Sequence, residues 1–216
     1  VEKIARLEEK FGFHSLWNVV PKRYPINKKV LFSLLDTGHE IGMHGIWHNS
    51  KEAFLSEDQM VREISLLKSF IEEFKIKAYR SPAWLRTKKM YKVLSRFFSY
   101  DLSCLDNDPF SLTGNGGVGL IRPFMFESGL IELPCNLLFE SPVYWGVPAA
   151  NLLDYWKPKI KFVAHFKGML LITTHPDRNY LGNSRMLAAY ERLLGFLADK
   201  NWQSMLPRDL EGNLRK

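Results

Sequence analysis

A chain of 216 residues, 46% hydrophobic and 25% charged, can bury a sizeable core, and its composition excludes disordered, collagen-like and repeat proteins. No apolar run approaches the ~18–20 residues that span a bilayer, so no transmembrane segment is expected. The formal charge of +7 is spread among acids, with nothing denser than the pairs Lys22-Arg23, Lys28-Lys29 and Lys88-Lys89; a solvated basic surface accounts for it, and no nucleic-acid partner is expected.

The opening "VEKIARLEEKFGF" has helical periodicity, ends near Gly12, and is too charged for a signal peptide. A start at Val1 fits a processed end, an expression boundary or a truncation, so a cytoplasmic and a cell-envelope location both stay open. "HSLWNVV" reads as a strand stopped by Pro21, and "NKKVLFSLLDTG" as a helix with Gly38 at its end. "HEIGMH" is a short strand. "SEDQMVREISLLKSFIEEF" is the clearest helix, opened by Ser56 as N-cap with Gln59 three residues on. "KAYRSP" is a strand running into a proline-fixed loop, "TKKMYKVLSRF" a helix and "SYDLSC" a strand. "NDPFSLTGNGGVGLIRPF" is loop-rich, with glycines suited to turns. "LIELPCNLLF" and "GMLLITTHP" read as strands, and "SRMLAAYERLLGFLADK" as a long amphipathic helix. Strands alternating with helices predict a single α/β domain over 1–216 with a largely parallel sheet or barrel.

In such folds functional residues gather where strands end. "HGIWH", "RSP", "YDLS" and "THPD" all fall there. His44 and His48 are four apart, a spacing that presents two imidazoles from one helical turn to one ion, though soluble helices carry it without any metal. Catalytic zinc takes three protein ligands and keeps a position open for water. His39, in an odd register, is expected to be structural. Arg80 is either a surface arginine beside a turn or a guanidinium that orients a carboxylate. Trp84 lines a substrate groove or the core. Asp101 and Ser103 touch substrate or brace a loop, and no nucleophile elbow surrounds Ser103. His175, at the tip of a buried strand, suits acid–base work or a structural place. Cys104 and Cys135 lack CxxC spacing and read as buried thiols.

Taken in order, these segments resemble the polysaccharide deacetylase family (carbohydrate esterase family 4). "GHEIGMHGIWH" is similar to its zinc motif H-[ST]-x-x-H, "YRSPAW" to its Arg-x-Pro motif, "YDLS" to the segment that follows, "LIELPCNL" to a common strand and "LLITTHP" to the late His-Pro motif. The resemblance implies a distorted (β/α) barrel with its active site at the strand C-termini. It implies zinc, or another divalent ion, on His44 and His48. It also implies Arg80 tethering the catalytic base, His175 as general acid, and Trp47, Trp84 and Asp101 contacting substrate. The implied reaction is metal-dependent removal of an acetyl group from an N-acetylated sugar.

Gly45 departs from the family's Ser or Thr. "HG" with "RSPAW" is closer to the branch of peptidoglycan-deacetylase-like and cyclic-amide-hydrolysing proteins. The family's opening Asp-Asp pair, source of the base and third ligand, has no counterpart, so the chain is expected to be N-terminally incomplete and to lack its first strand. Asp101, Asp106 or Asp108 could replace the ligand only if its loop reached the metal. The chain alone is therefore expected to bind zinc weakly. Two alternatives remain: a hydrolase of a small amide or cyclic imide, and an incompetent homologue binding carbohydrate through Trp47, Trp84 and Tyr144.

Overall fold

The computed structural model describes residues 1–106 and 117–210. In chain order its elements are α1 (Glu2–Lys10), β1 (Leu16–Val19), α2 (Lys28–Asp36), β2 (Glu40–His44), α3 (Glu57–Ser65), α4 (Lys68–Glu73), β3 (Ala78–Arg80), α5 (Lys88–Leu94), β4 (Tyr100–Asp101), β5 (Phe124–Met125), β6 (Ile131–Glu132), β7 (Leu137–Leu138), α6 (Ser141–Tyr144), α7 (Leu152–His165), β8 (Ile172–Thr173) and α8 (Ser184–Asp199). The chain divides into two compact units, Val1–Ser15 with Cys135–Met205 and Leu16–Pro134 with Leu206–Lys216.

The second unit is built on a six-stranded sheet of order β1-β2-β3-β4-β6-β5. Its first five strands run parallel, which requires the helical crossovers α2, α3–α4 and α5 that the alternating sequence pattern predicts. Ile41, Met43, Ala78, Tyr79, Tyr100 and Ile131 fill its core. Two pairings matter for the site: His44 lies opposite Arg80, and Asp101 opposite Glu132. β5 runs antiparallel to β6 through a tight hairpin in which Gly129 adopts φ 83.

The helix starts follow the sequence. Asn27 accepts from the Val30 amide to cap α2, and Ser56 and Gln59 form the expected capping box on α3. The long helix expected over residues 56–74 is instead two, α3 and α4, joined by a tightened turn. There Leu67 N–H reaches back three residues, to the Ile64 carbonyl at 2.9 Å. Met60, Ile64, Leu67 and Phe74 still bury one stripe across the break. No glycine or proline marks this turn.

In the first unit β7 and β8 form a parallel pair. α8 buries Met186, Ala189, Tyr190, Leu193, Leu194 and Leu197, and the Tyr190 hydroxyl donates to Glu8 of α1 at 2.7 Å. α7 is a full helix that periodicity did not suggest. Pro158 sits inside it, and its apolar residues Leu152, Trp156, Ile160 and Val163 are buried.

Burial pushes the Glu8 carboxyl up to about 7, against the smaller opposing pull of the Tyr190 hydrogen bond. A carboxyl raised in the folded state contributes stability that is fully present below its unfolded value near 4.5. That contribution is lost as pH rises through about 7. The loss is on the order of 3 kcal/mol. Denaturant unfolding should therefore show stability falling between pH 5 and pH 8, with Glu8→Gln flattening that slope. An unchanged slope in the variant would show that Glu8 is not the titrating group.

Candidate active site

The turn after β2 places the first two candidate residues. His44 ends the strand, and the chain reverses through Gly45 (φ 63) and His48 (φ 54), both left-handed. The two histidines therefore do not share a helical turn, as their spacing predicts; a strand end and a left-handed loop bring them together. Their ring centroids are 4.8 Å apart at an interplanar angle of 69°. His44 Nδ1 lies 3.0 Å from the Arg80 carbonyl oxygen on the neighbouring strand. A carbonyl only accepts, so this contact calls for the proton on Nδ1.

Gly45 is required twice over. Its amide donates to the same Arg80 carbonyl at 3.0 Å, and a Cβ there would come within 2.5 Å of the Pro82 ring. The missing Ser or Thr hydroxyl is thus replaced by a close backbone approach. Glu52, 1% exposed, clamps the turn by accepting from the Ile46 and Trp47 amides at 3.0 and 2.9 Å. Gly45→Ala should lower the unfolding free energy by about 1–3 kcal/mol, because both the φ and the space are wrong for alanine. A denaturation midpoint equal to that of the parent chain would refute this.

Arg80 lies over the Trp84 ring at 4.0 Å, on a turn where Ala83 and Trp84 both have positive φ. Trp84 is half-buried. So is Trp47, with the Lys22 ammonium 5.1 Å from its ring centre. Asp101 is fully buried and accepts from the hydroxyl and amide of Ser103 at 2.7 and 3.2 Å. Of the two roles its position allows, these hydrogen bonds are those of a loop brace. His39 is likewise interior, with Nδ1 accepting from Trp17 Nε1 at 3.3 Å.

His175 belongs to the other compact unit. Its side chain is 48% exposed, and its Nδ1 lies 3.8 Å from the buried carboxylate of Glu140. Glu140 also accepts from the His175 amide at 2.7 Å and from the Thr174 hydroxyl, so this acid holds the backbone beneath the ring. Tyr180 packs on the imidazole with ring centres 4.9 Å apart. Within this unit a groove of about 980 Å³ is lined by Tyr144, Val147, Tyr180, Asn183 and Arg185.

Two imidazoles on one tetrahedral zinc, with Zn–N ~2.0–2.1 Å, have centroids about 5 Å apart. The 4.8 Å between the His44 and His48 centroids is close to that separation, and is also that of an edge-to-face ring pair. A third does not follow: among the described residues no group of three or more His, Cys, Asp or Glu side chains is placed to hold an ion. Asp101 and Asp106 are buried, and Asp108 lies outside the described residues. Glu52, Glu132 and Glu140 were not anticipated as site residues, because single acids far apart in sequence carry no spacing signal.

No family model and no curated protein matches the sequence. Solved structures do. A Mycobacterium smegmatis protein assigned as a polysaccharide deacetylase matches with a TM-score of 0.72 and 20% identity, over 94% of this chain and 72% of that one. An allantoinase matches with a TM-score of 0.74 and 16% identity, over 98% and 72%. A family 4 carbohydrate esterase from Streptomyces lividans, in complex with acetate, matches with a TM-score of 0.62 and 15% identity, over 98% and 88%. At these identities the likeness is one of fold: this chain has the α/β fold of deacetylase and allantoinase structures.

Proposed function

We propose that the chain belongs to the polysaccharide deacetylase family and hydrolyses the amide C–N bond of an N-acetylated sugar, releasing acetate. The observation that carries this reading is the His44–His48 pair at the end of a parallel strand, oriented by the Arg80 carbonyl, in a fold shared with deacetylases. Zinc, or another divalent ion, is the proposed cofactor, with His44 and His48 as two of its ligands. The described residues complete no such site, so the roles given to side chains do not depend on it.

His175 is the proposed general acid. The leaving amine must gain a proton as the C–N bond breaks. Nε2 of a half-exposed imidazole, backed at Nδ1 by Glu140, can deliver it. Arg80 is the proposed tether of the base, its guanidinium held over the Trp84 ring. Trp47 and Trp84 offer faces to sugar rings, and Asp101, through Ser103, braces the loop after β4.

A second reading, hydrolysis of a small or cyclic amide, is favoured by the likeness to the allantoinase. One experiment separates the two: incubation with N-acetylated oligosaccharides and with a cyclic ureide, with and without added zinc. Acetate release supports the first reading and ring opening the second. Saturable oligosaccharide binding without any product supports a carbohydrate-binding homologue instead.

A further inference from the structure

The peptide group between Arg80 and Ser81 is held on both sides. Its carbonyl accepts from His44 Nδ1 and from the Gly45 amide, each at 3.0 Å. Its N–H donates to Ser103 Oγ at 2.8 Å, and that hydroxyl passes its own proton to Asp101 Oδ1 at 2.7 Å. A hydroxyl has one proton and two lone pairs, so the direction of this chain is fixed. It runs from the imidazole N–H through one amide and one hydroxyl to a buried carboxylate.

The far end is also defended. Asp101 stands opposite Glu132 on β6, and both side chains are fully buried. Glu132 Oε1 accepts from the Cys104 amide at 2.9 Å, while Oε2 meets no donor. Two neighbouring buried carboxylates cannot both stay ionised. Burial raises both carboxyls: Glu132 is pushed far up by burial and then by the Asp101 charge, while Asp101 is raised by burial against the opposing hydrogen bonds from Glu132 and Ser103. Of the two, Glu132 is pushed further toward its neutral form, and the Ser103 hydroxyl and amide leave Asp101 the better placed to carry the one negative charge. The Arg86 guanidinium, which donates to the Ser103 carbonyl at 3.3 Å, favours the same charge.

We propose that Ser103 and Asp101, with Glu132 behind them, are positioning residues for His44: through the Arg80–Ser81 peptide they hold its imidazole as the Nδ1–H tautomer. Metal-binding histidines commonly use a carboxylate or carbonyl for this purpose. Here a carbonyl does it directly, and a carboxylate two hydrogen bonds further on polarises that carbonyl. Each link strengthens the next by roughly 10–30%. The proposal rests on the reading of His44 as a working imidazole, but its test does not need turnover.

The test is ¹⁵N NMR of the His44 ring in the metal-free chain at neutral pH. The parent chain should show a protonated Nδ1 and an unprotonated Nε2, with a slowly exchanging Nδ1–H. Ser103→Ala should move both nitrogen shifts toward a mixture of tautomers and speed that exchange. Ser103→Thr, which keeps the hydroxyl, should restore the parent spectrum. A His44 protonated at Nε2 in the parent chain would overturn the proposal even if Ser103→Ala failed to fold. So would a folded Ser103→Ala with unchanged His44 shifts. In a parallel zinc titration Ser103→Ala should bind about 10–100-fold more weakly. No zinc binding by the parent chain would count against the metal reading alone, leaving the tautomer result to decide this one.

Discussion

His175→Ala is expected to lower acetate release about 10²–10⁴-fold while leaving any retained metal in place. The argument is chemical. An amine leaves poorly as its anion, and His175 is an exposed imidazole whose backbone amide is fixed by a buried acid, Glu140, with Nδ1 3.8 Å from that carboxyl group. Steady-state turnover beside metal content reads the two effects separately. Unchanged turnover would return His175 to a structural place. Glu140→Gln, which keeps the volume and removes the charge, should fall between the parent chain and the alanine variant.

Removal of either member of the imidazole pair should have an equally large effect on ion binding. His44→Ala and His48→Ala are each expected to remove the weak zinc binding that a titration of the parent chain detects, because two nitrogens are already fewer than a catalytic zinc uses. His39→Ala serves as the contrast. That ring is interior and accepts from Trp17, so its loss should cost stability and leave whatever zinc the chain binds. Stoichiometric zinc in His44→Ala would sink the assignment of that residue.

Much of the scaffold was legible because local chemistry announces it. Caps at Asn27, Ser56 and Asn183 start helices where side-chain oxygens meet free amides. Pro21 and Gly38 close their segments, and β-prone runs become the parallel strands. α7 was not read from the sequence; Pro158 opposes a helix there, and burial of Leu152, Trp156, Ile160 and Val163 outweighs that local preference. The histidines were legible as a pair, but the reason was not. Spacing suggested a helix, whereas the left-handed residues Gly45 and His48 do the folding back. The buried acids were hidden for a different reason. Glu52, Glu132 and Glu140 look like surface charges in one dimension, and only strand register and loop closure bring them to amides and carboxyls that need them.

The Arg80 carbonyl is a backbone atom, and that has an evolutionary consequence. No substitution at position 80 can delete it, so the contact orienting His44 is immune to side-chain mutation at the residue that supplies it. The adjoining amide can be lost in one way only, by proline at position 81. Selection therefore acts on the neighbours that hold this peptide in place, above all a residue without Cβ at 45 and a hydroxyl at 103. Lineages descended from a common ancestor can exchange most of their other side chains and keep the imidazole aimed the same way.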